Sequence, residues 1–156
     1  MPAWLTRFYK TGQRWRADSG LMATTTPHAT GTFTPTTWDE RAYAELEGAP
    51  KLTHAHVTNS YAGDIEGEGT SDSLMFYSDD ATATYFGFER VVGKLDGRSG
   101  SFVLQGSGTW KDGAATTTWS VVPGSGTGEL KGLRGDGGFT TGRETEISYS
   151  LDYHLA

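Results

Sequence analysis

Apolar and polar positions alternate with a period of two over most of the chain downstream of His28. The clearest stretch is Thr82–Trp110, two alternating runs joined at Asp96-Gly97, a dipeptide suited to the tight turn of a β-hairpin. Pairing outward from that turn sets Val91 opposite Phe102, Glu89 opposite Leu104, Gly87 opposite Gly106 and Tyr85 opposite Gly108. Side chains of a strand point alternately to its two faces, so these residues share one face. It consists of bulky apolar groups, glycines and one carboxylate. Thr84, Phe86, Phe88, Arg90, Val103 and Gln105 fall on the other face.

The same alternation predicts strands at His28–Glu40, Leu52–Ala62 and Ile65–Ser78, a polar loop over 41–51, and a last strand at Glu146–Leu155. A two-residue turn at Gly63-Asp64 would place Glu66 opposite Tyr61, Glu68 opposite Asn59 and Thr70 opposite Val57. A turn at Asp79-Asp80 would then set Leu74 against Tyr85 and Thr70 against Glu89. The shared inner face thus gathers Asn59, Tyr61, Glu66, Glu68, Leu74, Tyr85, Glu89, Phe102 and Leu104. Beyond a turn at Asp112-Gly113 it continues through Ala115, Thr117, Trp119 and Val121. Val122–Gly138 reads as a bulged glycine-rich connection, too irregular for an ordinary strand before Phe139. About eight long strands with one apolar face predict an all-β domain over residues 28–156, a single antiparallel barrel. The interior of such a barrel either fills with side chains or holds one small ligand.

Charge and composition narrow the partners. The net charge is −6, and the basic residues Arg7, Lys10, Arg14 and Arg16 crowd the first turns of sequence, so the barrel itself is acidic. That argues against a nucleic-acid partner, which needs basic side chains for phosphate. No apolar run is long enough for a membrane-spanning helix, so no membrane partner is expected. Residues 1–21 lack the apolar core of a signal peptide, and a cytoplasmic location is the expectation. Residues 1–27 read as a disordered tail, or as an extension that precedes a second start at Met22; the alternative is a short membrane-surface or partner-binding helix built on Trp4, Leu5, Phe8, Tyr9 and Trp15. The absence of cysteine removes disulfides and thiolate chemistry.

Inward-facing carboxylates carry the candidate chemistry. Glu89 and Glu68, close together in an apolar interior, would push one pKa upward and favour general acid–base catalysis; Glu66 lies nearer the turn. Asn59, Tyr61, Leu74, Tyr85, Phe102, Leu104 and Trp119 are the candidate substrate-binding residues. The competing reading is structural: the carboxylates lie solvated at the mouth, and Tyr85, Phe102 and Trp119 fill the barrel. His54 and His56 share one side of a strand, but Ser71 and Ser73 are their expected neighbours, so no metal site is predicted. His28 and His154 read as surface residues. The Gly-Ser-Gly-Thr-Gly run from Gly124 fails as a phosphate loop because Lys131 is followed by Gly132, and no cofactor is expected. Phe86, Phe88, Met75 and Tyr77, on the nominal outer face, mark a candidate interface for a homo-oligomer.

From Val121 the run V-V-P-G-S-G-T-G-E-L-K-G-L-R-G resembles the glycine-rich barrel segment of allene oxide cyclases and dirigent proteins. The stretches Y-A-G-D-I-E-G-E-G (Tyr61–Gly69), G-F-E-R-V-V-G (Gly87–Gly93) and G-R-S-G-S-F-V-L-Q (Gly97–Gln105) are similar to a bacterial family of unknown function with the same barrel. The resemblance covers most of 28–155 and implies an allene-oxide-cyclase-like barrel. Members of the wider group steer cyclisation or coupling of reactive apolar molecules without cofactors, and related bacterial barrels close rings in polyketide-type products. It therefore implies a cofactor-independent cyclase or isomerase acting on an apolar small molecule. A non-catalytic binding barrel and a structural protein stay open beside it, and no catalytic residue is carried over.

Overall fold

A computed structural model describes residues 26–156. The expectations for residues 1–25 lie outside the described residues. All regular structure in the described part is β-strand: β1 (His28–Ala42), β2 (Lys51–Gly63), β3 (Ile65–Asp79), β4 (Thr82–Leu95), β5 (Arg98–Lys111), β6 (Ala114–Val121), β7 (Thr127–Gly128), β8 (Leu133–Thr140) and β9 (Ile147–Leu155). Among the described residues no helix is long and apolar enough to cross a membrane. The strands pair antiparallel in the order β4-β3-β2-β1-β9-β8-β6-β5, and a β4–β5 pairing closes the sheet into an eight-stranded barrel. The short β7 pairs with β5 through Gly100 and Ser101.

The Asp96-Gly97 hairpin has the expected register, Val91 against Phe102 and Tyr85 against Gly108. So does the next one, where Gly106 faces Trp119 and Leu104 faces Val121. β3 departs from expectation. Tyr61 pairs with Gly67 and Asn59 with Gly69, leaving residues 62–66 to make the connection. An odd number of connecting residues reverses the faces of the strand that follows. Two contacts fix this corner: the Thr30 amide donates to Asp64 Oδ2 at 2.8 Å, and the Ile65 amide to the Tyr149 hydroxyl at 2.8 Å. Glu66, Glu68, Leu74 and Phe76 consequently point outward, while Ser71, Ser73, Met75 and Tyr77 point inward. A register shift between Tyr77 and Asp79 restores the phase, so β4 keeps its expected orientation.

A second departure concerns β8, which is regular from Leu133 rather than from Phe139. Its glycines let it run close to both neighbours: a Cβ at Gly137 would lie 2.0 Å from the Ser150 carbonyl oxygen. Irregular sequence here reflects tight strand approach, not a missing strand.

The interior is divided into two unequal halves. Ile65, Val91, Leu95, Phe102, Leu104, Leu130, Leu133 and Leu151 are sealed from solvent and make one end solid. Around the other end Ala55, Val57, Met75 and Ala83, with Tyr77, Tyr85 and Trp110, leave the barrel open. Truncation should therefore cost more at the solid end. Leu95→Ala is expected to lose about 3–4 kcal/mol in urea unfolding, and Met75→Ala, which already borders open space, under about 2. Equal losses would mean the open half closes in solution.

Candidate functional site

The open half holds a cavity of about 490 Å³. Its inner end is aromatic. Phe33 meets Phe139 edge to face with centroids 4.9 Å apart, Trp119 lies 5.2 Å from Phe139, and Phe33 lies 5.3 Å from Tyr61. Leu104, Val57, Met75 and Tyr85 continue the wall, and the Tyr85 hydroxyl bonds the Thr117 hydroxyl at 2.6 Å.

Glu89 is set into this wall from β4, 7% exposed. Asn59 Nδ2 donates to one carboxylate oxygen at 2.7 Å and the Tyr61 hydroxyl to the other at 2.9 Å. Space for the carboxylate comes from β3, where a Cβ on Gly69 would sit 2.1 Å from Glu89 Oε2. Burial pushes the Glu89 carboxyl above the ordinary carboxylate range, against the two hydrogen bonds, which favour its charged form. Burial, with the neighbouring Glu89 charge, also holds the Tyr61 phenol well above its usual value, so Tyr61 stays a donor.

Of the residues singled out in the sequence, the structure brings together Glu89, Asn59, Tyr61, Tyr85, Leu104 and Trp119. Phe102 does not join them; it is packed into the solid half. Glu68 and Leu74 are on the outer surface because the β2–β3 corner reverses β3. The raised pKa of Glu89 thus comes from burial and not from a second carboxylate beside it.

The second carboxylate in the cavity wall is Glu40, at the open end, which the sequence reading missed. Strict alternation from Phe33 would turn Glu40 outward. A bulge between Pro35 and Thr37 shifts the phase and brings it in. Partial burial pushes Glu40 upward, but hydrogen bonds from Tyr77, Thr53 and Trp38 hold it below the ordinary range, hence charged. The 141–146 connection adds Thr141, Gly142 and Glu144 to the wall.

Reversal of β3 also changes the histidine pair. His54 Nε2 and His56 Nδ1 converge on Asp72 Oδ1 at 2.9 and 2.8 Å, where Ser71 and Ser73 were expected. Among the described residues no group of three or more His, Asp or Glu is placed to hold a metal ion. On the outer face Phe86 and Phe88 are exposed as expected, but their apolar neighbours are Leu74 and Phe76 rather than Met75 and Tyr77.

The fold and site together define an antiparallel β-barrel with an apolar cavity and a buried carboxylate in its wall. The chain belongs to the family described as protein of unknown function (DUF3224), whose model matches residues 29–153. It is similar to the crystal structure of a protein of unknown function from that family, from Shewanella oneidensis MR-1. The identity is 32%, the TM-score 0.71, and the alignment covers 83% of this chain and 98% of that one. A comparison with curated proteins gave no match.

Proposed function

We propose that this barrel encloses an apolar small molecule and moves a proton on it through Glu89, as a cofactor-independent isomerase or cyclase. The observation that carries the reading is a buried carboxylate, held by Asn59 and Tyr61, in the wall of a cavity large enough for a small ligand. Its raised pKa makes it a better proton acceptor than an exposed glutamate. Glu89 would take a proton from a carbon next to an electron-withdrawing group and return it at a neighbouring atom. Such a step conserves atoms and electrons and consumes no cofactor. The sequence resemblance to allene-oxide-cyclase-like and dirigent-like barrels supports the same class of chemistry.

The test is exchange of α-protons on a bulky apolar ketone, 4-phenyl-2-butanone, in D₂O, followed by NMR. The wild-type protein is expected to accelerate exchange, and Glu89→Gln to remove about 10²–10⁴-fold of that acceleration while ketone affinity is kept. Undiminished exchange in the variant would remove Glu89 from the chemistry. Binding without exchange in the wild type would favour a carrier.

One observation favours a second role, assembly. Leu74, Phe76, Phe86 and Phe88 form an exposed apolar group across β3 and β4, with Phe86 57% exposed. Sedimentation equilibrium is expected to show a homo-oligomer that Phe86→Ser weakens; a wild-type monomer at high concentration would end that reading.

A further inference from the structure

Among the described residues the wall of the cavity carries three carboxylates, Glu40, Glu89 and Glu144, and no lysine, arginine or histidine. An anionic ligand entering it would meet like charge along the wall, where the nearby cation, Lys51, stands outside the lining at the rim and already acts on Glu40. The open end is also built in a particular way. Trp38, Tyr77 and Trp110 line it together with Glu40, and the Tyr77 and Trp110 rings meet edge to face at 6.3 Å. Trp38 Nε1 donates to Glu40 Oε1 at 3.1 Å, and the Thr53 and Tyr77 hydroxyls both donate to Oε2. A carboxylate offers about four acceptor positions, so Oε1 retains one.

Two further observations point to the kind of group that completes this arrangement. The Lys51 ammonium of the chain itself lies 4.4 Å above the Tyr77 ring, so one face of this aromatic rim already takes a cation. Deeper in, Asn59 is 5% exposed and lines the cavity, and its Oδ1 has no protein hydrogen-bond partner among the described residues. The mouth therefore presents a free acceptor position and π faces that a single cationic donor completes, above a deeper wall that is mainly aromatic.

We infer that the ligand is an amphipathic amine: its ammonium sits at the mouth on Glu40 among Trp38, Tyr77 and Trp110, and its apolar body lies against Phe33, Trp119 and Phe139. The inference rests on the reading that the cavity holds an apolar small molecule, and it specifies that molecule's chemical class. Charge-assisted hydrogen bonding and cation–π contact act on the same group, which favours an amine over a neutral ligand of equal shape.

The experiment uses three probes with one body, 4-phenylbutylamine, 4-phenylbutanol and 4-phenylbutyrate, titrated calorimetrically into the full chain. The amine is expected to bind about tenfold or more tightly than the alcohol, and the carboxylate weakest of all. Glu40→Gln is expected to bring the amine to within about twofold of the alcohol, leaving alcohol affinity in place as evidence of a folded barrel. Trp38→Ala, at a half-exposed ring, should narrow the preference without abolishing it. Glu89→Gln should stop proton exchange yet lower the amine-to-alcohol ratio far less than Glu40→Gln does, which separates the two sites. Equal binding of amine and alcohol to the wild type would overturn the inference while the cavity reading stood. An amine preference that survives Glu40→Gln would overturn the assignment to Glu40. Failure of all three probes would overturn this inference and the occupied-cavity reading together.

Discussion

Gly69→Val is expected to evict the Glu89 carboxylate and to cost about 4 kcal/mol, lowering the melting temperature by roughly 10 °C. The added Cβ would stand 2.1 Å from Glu89 Oε2 and 2.9 Å from Tyr61 Cε2. Neither neighbour can yield freely, since the Tyr61 hydroxyl and Asn59 Nδ2 both end on that carboxylate. Overpacking accounts for about 1–3 kcal/mol, and each buried donor left without an acceptor adds about as much. A double-mutant cycle isolates the cause. In a Glu89→Ala background the valine enters space the carboxylate has left, so its cost should fall by at least about 1.5 kcal/mol. Strict additivity of the two substitutions in denaturant unfolding would show that Gly69 matters for strand geometry rather than for seating Glu89.

How far the sequence could reveal this site depended on phase along each strand. Hairpins closed by Asp-Gly fix their own register, so Glu89, Tyr85, Leu104 and Trp119 could be placed together from local turn chemistry alone. Asn59 and Tyr61 were assigned to the inner face of β2, which the structure shares, yet the partners proposed for them on β3 were wrong. The cause is long-range. The corner after Tyr61 is set by Asp64 reaching Thr30 and by Tyr149 reaching Ile65 from across the barrel, contacts that no local turn rule contains. One residue of slip sent Glu68 and Leu74 outward and put Asp72 between the two histidines. Glu40 was hidden by the same kind of event, a bulge in β1 held by side chains: the Thr36 and Thr37 hydroxyls both meet the Thr58 hydroxyl. The division of the interior into a solid and an open half was not legible at all. It depends on how far down the barrel each side chain sits, and inward-facing positions read alike at both ends.

Glu89→Gln should make the protein more stable at neutral pH while it stops proton transfer, because the charge that serves the chemistry is costly to the fold. Burial raises the folded-state pKa of Glu89 above its value in the unfolded chain. Below about pH 4 both states carry the proton, and the group adds nothing to the pH dependence. Above that, the unfolded chain ionises first, so stability falls until pH passes the raised folded value and then stays at the lower level. Glu40 has the opposite sign: its depressed pKa gives stability above the ordinary carboxylate range, lost as pH falls through its folded value. The two contributions separate by subtraction. The gap in melting temperature between Glu89→Gln and wild type should be small near about pH 4 and widen toward about pH 8, whereas Glu40 titrates alike in both proteins. Glutamine fits the site because an amide can still accept from one donor, and its own NH₂ can reach Asn59 Oδ1, the atom now without a partner. A gap that stays constant with pH would mean that Glu89 titrates in the folded protein as it does in the unfolded chain. The proton-transfer role would then lose its physical basis, since a carboxylate relieved of desolvation has no special affinity for a substrate proton.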